Sequence, residues 1–261
     1  MADVLIAPGS VAWRVNREAA VLLGGGRALL MQIAHPKVAA GVAEHSDFMV
    51  DPVGRLKRTL QLSLALTFGT PGEIRRSASR INTTHQRVRG DGYSALDPAL
   101  LLWVHATLID SALVTYDTFI ARLSDADAEE YYRQTQPVGA LLGIPPTRFP
   151  PTLAAFRSYV AEMLAGPASP DAISRRLAAA VLKPPIRHLP GFAAAPLRVI
   201  TTGLLPEPLR RAYGLSWTAV ERTAFGAARA AIRTSVMATP GALRAVPAAR
   251  RAERRYLIAA L

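Results

Sequence analysis

Histidine is the residue type whose placement says most about chemistry, because the chain has only five: His35, His45, His85, His105 and His188. Cysteine is absent, which excludes a disulfide framework, a zinc finger, an iron–sulfur cluster and a thiolate-ligated haem. The remaining metal patterns also fail. There is no His-Glu-x-x-His pair for zinc and no Glu-x-x-His motif for a di-iron carboxylate bundle. No phosphate-binding Gly-x-x-x-x-Gly-Lys-Ser/Thr loop occurs. Gly24-Gly25-Gly26 follows no credible strand, so these glycines read as close helix packing or a local break, not as a dinucleotide loop.

One constellation remains. Arg55, Arg58 and Thr59 fall on one face of a helix expected over residues 52–68, with Lys57 beside them. A second helix, expected over 71–89, carries Asn82, His85 and Arg89 at one-turn spacing. Thr59 precedes the turn at Thr70 by about 16 Å of helix and His85 follows it by about 22 Å, at 1.5 Å per residue. In an antiparallel hairpin the two groups would therefore lie about 6 Å apart along the axis. A neutral imidazole facing polar and cationic groups is the arrangement a haem pocket uses. Spacing alone equally describes a solvated cationic helix face with a capped or surface histidine, and charge clusters of that kind are the commoner case. His105 is the rival ligand: it sits mid-helix in the apolar run Leu100–Leu108, where a satisfied core histidine is the plainer reading. His35, before Pro36, marks a helix boundary, His45 a helix end, and His188 carries no specific signal.

The elements that must hold these residues are almost all helical. Ala, Leu and Arg dominate, and alternating runs of β-branched and aromatic residues are scarce. Asp51-Pro52 and Asp97-Pro98 each offer an N-cap followed by proline at the first helical position. Thr70-Pro71-Gly72-Glu73 has capping-box spacing, and Ser124 precedes a first turn rich in acids. Helices are expected at 11–33, 36–45, 52–68, 71–89, 97–122, 124–142, 150–165, 169–182, 194–204, 206–213, 217–237 and 240–259. The fold class expected is all-α, one globular multi-helix domain. Within it, residues 1–182 form the core and residues 183–261, entered through the Pro-rich stretch 183–193, form a basic C-terminal cover.

Charge supports that division. The formal net charge is +12, yet residues 1–174 hold 16 basic and 16 acidic side chains. Residues 175–261 hold 15 basic and only three acidic ones, Glu207, Glu221 and Glu253. Half of all residues are hydrophobic and 19% are charged, which excludes general disorder. A basic amphipathic C-terminus, with Arg244, Arg250, Arg251, Arg254 and Arg255 ahead of Tyr256-Leu257-Ile258, admits contact with an anionic membrane or nucleic acid. Phe225 and Tyr256 are its only aromatics after residue 224, too few to stack bases, so nucleic acid is disfavoured. A solvated arginine face is the plainest account of the same residues. No basic n-region with an apolar core opens the sequence, and the apolar stretch Val21–Ile33 is interrupted at Gly24–Arg27. A cytoplasmic protein, able to sit peripherally on a membrane, is expected.

Several segments, taken in order, resemble one family. They are Leu22-Leu23-Gly24-Gly25-Gly26-Arg27-Ala28-Leu29-Leu30, Gln32-Ile33-Ala34-His35-Pro36, Asp51-Pro52-Val53-Gly54-Arg55-Leu56-Lys57-Arg58-Thr59, Leu102-Trp103-Val104-His105-Ala106-Thr107-Leu108 and Tyr213-Gly214-Leu215. Together they are similar to the bacterial MpaB-type oxygenases, which share a catalytic domain with the latex clearing protein, a rubber oxygenase, and with a fungal oxygenase of mycophenolic acid biosynthesis. The resemblance spans roughly residues 12–220. It implies a globin-like helical core holding haem b through one histidine, and use of O2 to cleave a carbon–carbon double bond in an isoprenoid chain. An Arg-x-x-Lys-Thr motif beside the haem falls on Arg55–Thr59, and a ligand pattern His-x-x-Ile-Arg falls on His85–Arg89.

The resemblance thus implies His85 as the iron ligand, Arg89 as its cationic partner, and Arg55, Arg58 and Thr59 on the opposite side. Two positions depart from the family pattern. Arg58 replaces a lysine able to cap the iron, and arginine, always protonated, cannot do so unless Lys57 takes over. Asn82 stands where the rubber enzyme has a further arginine. The function expected is a haem-dependent oxygenase acting with O2 on a hydrophobic, isoprenoid or lipid-like substrate. A haem-binding or membrane-associated protein without turnover, and a basic nucleic-acid binder, are the alternatives.

Overall fold

The computed structural model describes residues 4–46, 52–182 and 195–259, with Pro52, Val53, Arg55, Leu56, Ile258 and Ala259 described through the backbone alone. His188 and the connector 183–193 therefore lie outside the described residues, as do the side chain of Arg55 and the Asp51 cap. Fourteen α-helices and one two-residue hairpin are described.

The organising element is α6, Pro98–Phe119. Asp97 caps it by accepting from the Ala99 amide at 2.8 Å, and Pro98 occupies the first turn, where its missing N–H costs nothing. This helix is apolar nearly all round, as a helix packed on every side must be. It is also long and apolar enough to cross a membrane, but most of it is buried within the protein. Trp103, Ala106 and Phe119 are fully enclosed. Its buried Thr107 and Thr115 satisfy their hydroxyls by donating to the Val104 and Ser111 carbonyls at 2.7 and 2.6 Å.

The N-terminal stretch expected as one helix over 11–33 is three pieces. Helix α1, Val11–Asn16, ends before Glu18, whose backbone is extended. A 3-10 segment, Ala19–Gly24, follows, and then α2, Gly25–Ala34. The break has a tertiary cause. Glu18 bridges Ala245, and the Val246 amide donates to the Arg17 carbonyl at 2.8 Å, so the C-terminal chain takes the backbone groups that a continuous helix would use. The glycines contribute close approach: a Cβ on Gly24 would collide with the Thr115 hydroxyl, and one on Gly26 with that of Thr201. Arg27, buried, joins three helices. It donates to Asp110 at 2.6 Å and Ser111 at 2.8 Å on α6, and to the Leu204 carbonyl at 2.8 Å at the end of α10, Ala195–Leu204.

Helices α3, Pro36–His45, and α9, Ala172–Leu182, cover one flank of α2. His35 is the N-cap of α3, its Nδ1 accepting from the Lys37 amide at 3.2 Å. Helix α7, Asp125–Leu141, is capped by Ser124 as expected and packs with α8, Leu153–Ala165, on α6. The described residues after 194 are largely helical too. Helix α12, Ala219–Ala238, lies on α6 and α10, and α14, Pro247–Ala259, rests against α4, Pro52–Phe68. The last expected helix, 240–259, is interrupted at Ala245 by the bridge to Glu18, leaving the short α13, Gly241–Arg244.

Candidate functional site

The hairpin that should carry the chemistry forms. Helix α4 runs to Phe68, Gly69-Thr70 turns the chain, and α5, Pro71–Arg87, folds back against it. The capping box is complete: the Thr70 hydroxyl accepts from the Glu73 amide at 3.3 Å, and the Glu73 carboxylate accepts from the Thr70 amide at 2.7 Å. Such a box contributes about 1 kcal/mol to holding a helix start in place. Leu66, Ile74 and Ala78 seal the hairpin against Val138 and Leu142 at the end of α7.

On α5, His85 is half-buried and its Nδ1 is buried without a hydrogen-bond partner among the described residues. One turn earlier, Asn82 shares that condition at Oδ1, while its Nδ2 donates to the Leu141 carbonyl at 3.3 Å and so fixes the amide. Burial lowers the His85 pKa, so the imidazole is neutral near pH 7. Two unpartnered buried polar atoms one turn apart are unusual in a finished protein, where such groups are nearly always paired. On α4, Lys57, Arg58 and Thr59 are exposed.

Arg89 departs from the expected geometry. Helix α5 stops at Arg87, Val88 is extended, and Arg89 stands on a small hairpin that pairs Arg89 with Ser94 and Gly90 with Tyr93. Gly92, at φ 71°, permits the turn, and a Cβ on Gly90 would strike the Tyr93 ring at 2.5 Å. Arg89 is therefore not one helical turn beyond His85. Its side chain is exposed, and its carbonyl accepts from His45 Nε2 at 3.0 Å, tying the hairpin to α3. The helix expected to reach residue 89 thus ends two residues early, and the strand pairing that follows it had no signal in the sequence.

His105 is placed differently. It lies buried on α6 beneath α7, edge-on to Phe149 with centroids 6.0 Å apart. Burial holds its pKa down at about 4, against a hydrogen bond to the Thr135 backbone that works the other way. Nε2 has no partner among the described residues, and it faces the bare α-carbon of Gly139.

Among the described residues no group of three or more His, Asp or Glu could hold a free metal ion. Haem asks less, a single neutral imidazole, and the unpartnered His85 with Asn82 beside it fits that demand. The described cavities lie elsewhere. A groove of about 600 Å³ runs between α1 and α14, and a smaller cavity of about 300 Å³ lies where Glu18 meets α12. Neither is lined by the hairpin. An apolar groove of adequate size is evidence for a ligand and not for a reaction.

The groove escaped sequence reasoning entirely. Trp13 and Tyr256 meet there with ring centroids 5.9 Å apart, and no spacing rule links residues at opposite ends of a chain.

Comparison with known proteins gives these residues a context. No solved structure matches the chain. It is similar to "Uncharacterized protein Mb2261" of Mycobacterium bovis and "Uncharacterized protein Rv2237" of Mycobacterium tuberculosis, each 27% identical over 220 residues, covering 76% of this chain and 81% of the relative. Residues 13–234 match the family described as ER-bound oxygenase mpaB/B'/Rubber oxygenase, catalytic domain. That match runs from within α1 through most of α12, with the α4–α5 hairpin, His85 and His105 inside it, and the chain belongs to this family of oxygenase-type catalytic domains.

Proposed function

We propose that this protein is a haem b-dependent oxygenase acting with O2 on a hydrophobic, unsaturated substrate of isoprenoid or lipid-like kind. The observation that carries the reading is the neutral His85, whose Nδ1 has no partner among the described residues, on a hairpin inside an oxygenase-family domain. Haem, when bound, supplies the oxygen chemistry that no side chain of this protein offers. His85 would hold the iron, and Asn82 would orient its ring. Arg58 and Thr59 would present hydrogen-bond donors from α4, with Arg55 one turn before them. Arg58 stays protonated and so serves as a donor and counter-charge, never as a ligand. Arg89, projecting from the hairpin beyond α5, would pair with an anionic group at the cofactor's edge.

His105 supports a structural role in this reading. Its Nε2 faces Gly139 across a space too small for a Cβ, and therefore too small for a porphyrin. The test is spectroscopic. Protein produced with haem supply should show a Soret band at one haem per chain, lost in His85→Ala and kept in His105→Leu. A Soret band lost in His105→Leu and kept in His85→Ala would reverse the ligand assignment. Turnover of unsaturated lipids under O2 should yield carbonyl products; haem binding without them would leave a carrier.

The basic C-terminal third adds contact with an anionic membrane to this proposal, a source of apolar substrate.

A further inference from the structure

The α1–α14 groove asks for an occupant of its own, and its chemistry identifies one independently of the oxygenase reading. Its lining is mainly apolar. Trp13 forms the floor, Pro8, Gly9, Tyr256 and Leu257 the sides, and its volume of about 600 Å³ lies within the range of sites that take small ligands. Trp13 is held there by an edge-on contact with Phe68, centroids 4.7 Å apart, and by donating Nε1–H to Glu253 at 3.3 Å. Arg17 clamps the same carboxylate, its Nε and Nη2 donating at 2.8 and 3.2 Å, so the groove wall is fixed to the core. Leu257, 69% exposed, stands at the mouth.

Charge surrounds that apolar mouth. Helix α14 buries Ala249 and Ala252 completely and turns Arg251 and Arg254 to solvent, with Arg250 at the flank. Arg250, Arg254 and Leu257 follow one another at four- and three-residue spacing, so they share one side of the helix. Among the described residues these three arginines make no ion pair, whereas Arg14 and Arg17 are matched by Asp127 and Glu253. The sequence continues from Arg255 as Tyr-Leu-Ile-Ala-Ala-Leu. Unpaired cations around an apolar mouth are what an amphipathic helix presents to a bilayer interface. Duplex nucleic acid would satisfy the cations but leave the groove and Leu257 unused. We propose that the α1–α14 groove and the arginine side of α14 form a docking site for an anionic bilayer, with a lipid acyl chain entering over Trp13.

The full-length protein should co-sediment with phosphatidylcholine vesicles containing phosphatidylglycerol and not with phosphatidylcholine alone, and salt should weaken the binding. Exchanging Arg251 and Arg254 together for Glu should weaken it at least about tenfold. Both positions are exposed, so folding is not at stake, and unchanged circular dichroism would document that. Lipids brominated in the acyl chain should quench tryptophan fluorescence, and Trp13→Phe should bind vesicles yet lose most of the quenching. Leu257→Asp should weaken binding with the cations intact. Equal affinity for neutral and anionic vesicles, no binding to either, or stronger binding to duplex DNA than to vesicles would overturn the proposal. Quenching unchanged in Trp13→Phe would overturn the groove as the point of entry. None of these readouts depends on haem.

Discussion

A Cβ placed on Gly139 would stand 2.9 Å from both Nε2 and Cδ2 of His105, so it is the bare glycine that lets α7 close over the imidazole. The same Cβ would lie 2.9 Å from Phe149, leaving the ring no direction in which to yield. Gly139→Ala should therefore destabilise the fold by about 1–3 kcal/mol, the usual cost of overpacking, despite alanine's better helix propensity. Urea unfolding measures it. In combination with His105→Ala the cost of the glycine change should fall below its value alone, since one of the two clashing rings is gone and Phe149 gains space to yield.

His105 also makes stability depend on pH. Its pKa stands near 6.5 in an unfolded chain and is held at about 4 by burial in the folded one. Above about 6.5 both states are neutral and the histidine contributes no pH dependence. As pH falls below that value the unfolded chain binds a proton that the folded chain refuses. Stability then declines, by roughly 3 kcal/mol in all once pH reaches about 4. His85, shifted in the same direction by burial, adds to the slope. Unfolding free energies at pH 7.5 and 4.5 should differ less in His105→Leu than in the wild type.

Asn82 is fixed by its bond to the Leu141 carbonyl, with Oδ1 unsatisfied one turn from His85. If His85 holds haem, as proposed, Asn82 would help to orient its imidazole. Asn82→Ala should weaken haem binding about tenfold, the range seen when partners of a metal-ligating histidine are removed. Titrating haem into the apoprotein reads this directly. Affinity equal to that of the wild type would leave Asn82 a packing residue only.

Arg27 ties α2 to α6 and α10 from a position only 4% exposed, with Asp110 at 2.6 Å. Removing the guanidinium strands a largely buried carboxylate and two further acceptors. Arg27→Ala should cost about 3–5 kcal/mol, measured by denaturant unfolding. Replacing Arg27 by Met and Asp110 by Leu together should cost less than Arg27→Ala, because no charge is then left buried alone.

Much of this architecture is legible in the residues themselves. The caps at Thr70, Asp97 and Ser124 act as their sequences say, because capping is settled within four residues. The glycines at 24 and 26 do pack against neighbouring helices, although which side chains they meet required the fold. The hairpin α4–α5 follows from two helix signals and a two-residue turn. The single helix over 11–33 and the unbroken one over 240–259 fail together and for one reason: Glu18 and Ala245 bridge each other across the molecule. Helix propensity, a few tenths of a kcal/mol per residue, gives way to such tertiary pairing.

What the sequence by itself determined is therefore local or compositional. It specified an all-helical chain, where most helices begin, the family to which it belongs, and the concentration of positive charge in its last third. These rest on propensity, short-range hydrogen bonding and residue identity. Tertiary structure alone decided that His85 Nδ1 meets no partner among the described residues, that His105 is walled in by Gly139, and that Trp13 and Tyr256 build one groove. Each of those outcomes depends on which distant side chain arrives at a given point, and that follows from packing the helices together, not from any spacing along the chain.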